Sequence, residues 1–182
     1  MSDNSNLWGE DFDFLDLNND GIDDVAYTDV DLDRDGILDS RVEVTDSDYD
    51  GYVDDITIHM DTDGDGIFDS AYAELDTDGD GYTDVVYEGI DLDGDGILDD
   101  MYVEMDTDGD GYVDQIITTT DYDGDGVIDE VFVATDSNGD GYVDEVATAI
   151  DYDGDGIIDE MYIEMDLDYD GDVDISYSSD DF

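Results

Sequence analysis

The sequence predicts an all-β fold, a β-solenoid of 15-residue strand-and-loop units with two units to a coil. Three observations carry this. An aspartate-glycine loop, DxDGDGxxD in its commonest form, recurs eleven times at a spacing of fifteen residues without insertion or deletion. The six residues between successive loops are rich in β-branched and aromatic side chains and alternate with a two-residue period, with no helical period. A longer period is superimposed, because position 7 of the unit runs Ile37, Tyr52, Ile67, Tyr82, Ile97, Tyr112, Val127, Tyr142, Ile157. Position 2 alternates likewise through Thr77, Leu92, Thr107, Tyr122, Ser137 and Tyr152. Like units therefore stand thirty residues apart, as they would if coils stacked about 4.8 Å apart. An antiparallel meander, in which each loop is a hairpin, is the alternative.

Taken in chain order, residues 1–15 precede the repeat and read as a cap, or as a segment that pairs with another subunit through Trp8, Phe12 and Phe14. Residues 16–180 form the eleven-unit repeat domain, and residues 181–182 a short tail. The first residues show neither the basic region nor the apolar core of a secretory signal, and no stretch approaches the length of a membrane-crossing helix. Membrane insertion is not expected.

Within each unit, nine loop residues are followed by a six-residue connection, and short strands are its natural reading. Positions 11, 13 and 15 share one strand face, as in Met101, Val103 and Met105. Positions 8 and 12 are expected on the other, as in Leu98 with Tyr102 and Ile158 with Tyr162. Both faces carry burial signals, which is unusual for a sheet open to water.

The composition limits the partners. Sixty-one acidic side chains stand against Arg34 and Arg41, for a formal charge of -59, which repels nucleic acid and anionic membranes. A chain this acidic would be disordered on charge alone, yet 39% of its residues are hydrophobic and fall in register with the loops. Order conditional on cations follows. No cysteine is present, so disulfides and thiolate metal sites are excluded.

The loop is where the cations belong. Position 1 is Asp16, Asp31, Asp46, Asp61, Asp76, Asp91, Asp106, Asp121, Asp136, Asp151 and Asp166. Position 3 is Asn18, Asp33, Asp48, Asp63, Asp78, Asp93, Asp108, Asp123, Asn138, Asp153 and Asp168. Position 5 is Asp20, Asp35, Asp50, Asp65, Asp80, Asp95, Asp110, Asp125, Asp140, Asp155 and Asp170. Position 9 is Asp24, Asp39, Asp54, Asp69, Asp84, Asp99, Asp114, Asp129, Asp144, Asp159 and Asp174. Carboxylates at alternating positions of a tightly curled loop converge on one point, and calcium takes six to eight oxygen ligands. Solvated turns use aspartate and glycine too, but need one or two such residues and not four acids at fixed offsets. Position 6 is glycine in every unit, where the chain must turn sharply, and position 4 is glycine in seven units but Asn19, Arg34, Tyr49 and Tyr169 in the others, a looser constraint.

This loop resembles the calcium-binding half of the EF-hand and, more closely, the EF-hand-like loops of thrombospondin type 3, dockerin and FG-GAP repeats. The resemblance spans residues 16–174. It departs from the EF-hand at position 12, where Tyr72, Tyr87, Tyr102, Phe132 and Tyr162 replace the expected glutamate, and the FG-GAP likeness implies that Asp at position 9 supplies that contact. The six-residue connection leaves no room for EF-hand helices. By architecture, the calcium β-rolls of RTX proteins are similar, without their glycine-rich nonapeptide.

Calcium is thus the expected cofactor, at one ion or more per unit. Eleven divalent ions supply 22 positive charges against a formal -59, so further carboxylates are solvated, shared or bridged. No nucleophile and base recur and no phosphate-binding loop is present, so an enzyme is not expected. The expected function is an extracellular structural protein that folds on calcium and assembles with copies of itself into a fibre or matrix. A calcium buffer, mineral-nucleating protein or adhesin spacer without self-assembly is the alternative.

Overall fold

The computed structural model describes residues 12–179. Each six-residue connection becomes a strand, because β-branched and aromatic residues fill it and the loops on either side end it. The strands are β1 (Asp13–Leu15), β2 (Val25–Val30), β3 (Ser40–Thr45), β4 (Asp55–Met60), β5 (Ser70–Leu75), β6 (Val85–Ile90), β7 (Asp100–Met105), β8 (Gln115–Thr120), β9 (Glu130–Thr135), β10 (Glu145–Ile150), β11 (Glu160–Met165) and β12 (Ile175–Ser178). All twelve lie in one sheet, in chain order and antiparallel throughout. Among the described residues there is no α-helix and no second layer of strands.

The fold is therefore the meander, and the two-strand coil expected from the thirty-residue alternation is not formed. A coil would pair like units in parallel, whereas each strand here pairs with its chain neighbours. The reason lies in the loop base. The amide of the ninth loop residue donates to the carbonyl just before the first, as in Asp69 to Met60 at 2.8 Å and Asp99 to Ile90 at 2.8 Å, which returns the chain beside itself.

A meander produces the thirty-residue alternation by other means. Successive loops fall at opposite strand ends, so the sheet has two rims. One carries loops 31–39, 61–69, 91–99, 121–129 and 151–159, the other loops 16–24, 46–54, 76–84, 106–114, 136–144 and 166–174. Ile and Val occupy position 7 on the first rim, while Tyr52, Tyr82, Tyr112 and Tyr142, each more than 70% exposed, line the second. Loops on the same rim are joined by backbone hydrogen bonds, for example Asp61 N–H to the Asp39 carbonyl at 2.8 Å and Asp91 N–H to the Asp69 carbonyl at 2.7 Å.

An odd period also turns each unit over. One face carries the row Ala73, Tyr87, Val103, Ile117, Val133, Ala147, Ile163 and Tyr177, drawn from alternate positions of alternate units. Over β5–β12 the sole charge on that face is Glu145, whereas the other face carries Glu74, Glu88, Asp100, Glu104, Glu130, Glu160 and Glu164. Over β2–β4 the distribution is reversed, with Asp29, Arg41, Glu43 and His59 on the first face and Val44, Ile56 and Ile58 on the second.

Position 8 corrects the expected pairing of Leu98 with Tyr102. A Cβ placed on Gly89 would meet the Leu98 side chain at 2.5 Å, so Leu98 covers the first face while Tyr102 stands on the second. Position 8 precedes the strand, and the two-residue alternation does not reach back to it. Phe68 behaves alike, its ring 5.6 Å from that of His59.

Of the expected N-terminal segment, Trp8 lies outside the described residues, as do residue 180 at the end of the repeat domain and the tail 181–182. Phe12 and Phe14 are described, with ring centroids 6.4 Å apart, and Phe14 lies in β1 at the sheet edge.

Candidate metal centres

The burial pattern inverts that of an ordinary domain. Among the described residues, only Ala26, Val44, Ala71, Ala73 and Ala134 form a buried apolar set, whereas thirteen aspartates are buried, from Asp24 and Asp46 to Asp144 and Asp151. Every one occupies position 1 or position 9 of a loop, and Asp151 is only 2% exposed. Positions 3 and 5 face solvent.

Local backbone geometry builds each site. The position 1 carboxylate is the hub of the turn: Asp61 Oδ1 accepts from Gly64 N–H at 2.7 Å and its Oδ2 from Gly66 N–H at 2.8 Å. Position 3 accepts from the amide of position 5, and position 5 from that of position 7, as in Asp65 N–H to Asp63 at 3.0 Å and Ile67 N–H to Asp65 at 2.8 Å. Position 6 takes φ +94° at Gly66, as expected. Position 4 is equally left-handed in every loop, including Asn19, Arg34, Tyr49 and Tyr169 at φ 61° to 68°, so the constraint there is conformational and not looser.

Position 9 gains a partner that the sequence reading missed. Asp84 Oδ2 accepts the amide of Thr77 at 2.7 Å and its hydroxyl at 2.5 Å, and Asp69 and Asp114 are held the same way by Thr62 and Thr107. These hydroxyls, with the adjacent amides, hold Asp69, Asp84 and Asp114 below the usual carboxylate range. The signal was present as Ser or Thr seven residues before an aspartate. Position 3 moves oppositely. Although these side chains face solvent, partial loss of hydration within the curled loop, with repulsion from the other loop acids, pushes Asp48, Asp78, Asp93 and Asp108 up, and at Asp123 and Asp153 repulsion from Asp125 and Asp155 leads.

Positions 1, 3 and 9 converge. Carboxylate oxygens of Asp31, Asp33 and Asp39 lie within 4.8 Å of one another, as do those of Asp61, Asp63 and Asp69, of Asp76, Asp78 and Asp84, and of Asp91, Asp93 and Asp99. In loop 46–54 the group is Asp46, Asp48 and Asp50, and four further groups make nine among the described residues. In the triads of positions 1, 3 and 9 the position 5 acid stands outside, engaged in the turn. Asn18 and Asn138 depart from the pattern, since their side-chain amides donate to Asp24 and Asp144 Oδ1 at 3.4 and 3.5 Å. An N–H thus occupies the place of a second carboxylate oxygen.

Each cluster is a concentration of negative charge with no cationic side chain to balance it. The chain has two arginines, of which Arg41 pairs with Asp29 on the sheet at 2.6 Å and Arg34 is exposed at a loop tip. Buried carboxylates without a countercharge are costly, so these groups suit a metal ion. Loops on one rim also touch: a Cβ on Gly79 would lie 2.8 Å from Asp48 Oδ2, and one on Gly124 2.6 Å from Asp93 Oδ2. No family model matches the chain, and no curated protein or solved structure matches it.

Proposed function

We propose that the chain is an extracellular, calcium-dependent structural protein whose sheet forms when calcium fills the loops. The observation that carries this is the burial of thirteen loop carboxylates beside no basic side chain. The donors are all oxygen, and those of one group lie within 4.8 Å of one another, close enough for a single ion at a calcium–oxygen distance of about 2.3–2.6 Å to reach them. Likeness to EF-hand-type loops belongs to the same proposal. In each loop calcium neutralises the triad, fixes the turn and so sets the register of the two flanking strands. With so little apolar core, the sheet depends on the ions much as a small zinc domain depends on its metal. Millimolar extracellular calcium suits many weak sites filled together. The role is mechanical and not catalytic, a flat element in a matrix or adhesive layer.

A calcium-storing or mineral-nucleating role is the second reading. It is favoured by the exposed carboxylates of positions 3 and 5, repeated along each rim at about 10 Å, twice the strand spacing.

Far-UV circular dichroism during a calcium titration, paired with calorimetry, tests the first reading. A steep, cooperative gain of β signal that a chelator reverses is expected. A chain that keeps its full β signal in chelator would sink it, and many independent weak sites with no change in fold would favour storage.

A further inference from the structure

Among the described residues no second layer of strands covers the sheet face over β5–β12 that bears Val103, Ile117 and Val133. In a chain of formal charge -59 it carries one charged side chain, Glu145, while the same strands expose seven carboxylates on their other side. A lone sheet with an apolar face is half of a two-layer fold. We infer that a second copy of this chain covers it, the two apolar faces packing as the layers of a β-sandwich.

Three considerations select this occupant. Eight strands at about 4.8 Å, each about 20 Å long, give a patch of about 760 Å², close to the roughly 800 Å² per partner of a standard stable interface. The apolar patch on the opposite face, over β2–β4, spans less than half as many strands. Met101, Met105 and Met161, unbranched side chains that adapt to an apolar partner, all stand on this face. Charge leaves one way to mate, since the acidic faces repel at contact and the apolar faces do not. A two-fold axis near β8 and β9 superposes β5–β12 of one copy on the same strands of the other, and β1–β4, with Asp29, Arg41, Glu43 and His59, project at both ends. This goes beyond the calcium reading, with which it shares only the need for a folded sheet.

Sedimentation equilibrium of the full chain in millimolar calcium tests it, with circular dichroism on the same sample. The expected mass is twice 20.1 kDa. Val133→Asp, in the middle of the apolar face, should return the mass to that of one chain with the β signal kept, and Thr118→Glu, on the opposite face of β8, should leave the dimer intact. If Val133→Asp loses its β signal, Met161→Asp, at a position 36% exposed, carries the same test. A folded wild-type chain that stays at 20.1 kDa, an open-ended series of larger species, or a dimer broken by Thr118→Glu alone would overturn the inference. Loss of β signal in calcium would instead count against the calcium reading.

Discussion

Replacing Gly124 and Gly139 by alanine, one at a time, separates what a loop needs for itself from what it owes its neighbour. Both residues hold position 4 with nearly the same backbone, φ +72° and +69°. An L-residue in the left-handed region costs about 1–2 kcal/mol, and stiffening the unfolded chain returns about 0.4–1 kcal/mol. Gly139→Ala therefore costs about 0–1.6 kcal/mol, since its new Cβ meets nothing within 4 Å. Gly124→Ala bears the same cost and one more. Its Cβ falls 2.6 Å from Oδ2 of Asp93, so the carboxylate must withdraw by about 1 Å to reach ordinary contact. Asp93 belongs to a different loop, 91–99, where it is the position 3 acid of the triad with Asp91 and Asp99. A substitution in one loop should thus weaken calcium at the loop thirty residues earlier. The assay is a calcium titration followed by NMR of protein labelled with ¹⁵N-glycine, in which Gly94 and Gly96 report loop 91–99. In Gly124→Ala these two resonances should need several-fold more calcium, and in Gly139→Ala they should titrate as in the wild type. Equal behaviour of the two variants would refute the loop-to-loop contact.

Asn138→Asp replaces the amide that faces Asp144 with an oxygen, and should tighten loop 136–144 for calcium by roughly tenfold, about 1.4 kcal/mol, read from the Gly139 and Gly141 resonances. In chelator, acid should first help and then harm the sheet. Asp48, Asp78 and Asp93, raised above 3.8 in the fold, take up protons there before the unfolded chain does, so stability rises as pH falls through their raised values towards 3.8. Asp69, Asp84 and Asp114, depressed below 3.8, contribute stability above that value and lose it as pH falls through their folded values, so the residual β signal should peak near pH 4. Arg41→Ala removes a two-point contact with Asp29 at 2.6 and 2.8 Å, but both side chains are 31–41% exposed, so urea unfolding in calcium should change by about 0.5 kcal/mol.

Strand placement was legible because six residues between loops leave room for little else, and the aspartate clusters because their acids sit at invariant offsets. Topology was not legible from the alternation of Ile97 with Tyr112, since two rims and stacked coils produce the same pattern. The discriminating sign was the odd period itself. Fifteen residues with a two-residue alternation put Val103 and Ile117 on one face from non-equivalent positions, 13 and 12. The position 2 hydroxyls passed as mere alternation because Thr77 and Leu92 share a slot, and only the fold shows Thr77 bound to Asp84. Position 4 looked permissive because composition records the residue and not its φ.

That each unit lands face-down relative to the one before it restricts how such a chain can be lengthened or shortened. Adding or deleting a single 15-residue unit would keep every loop closed and every strand paired, yet it would carry all downstream acidic rows round to the side of the upstream apolar ones. A thirty-residue step leaves both sides intact. Duplication by pairs of units therefore preserves the two faces, and a designer who wishes to tune the span of the sheet has a quantum of two strands, about 10 Å of width.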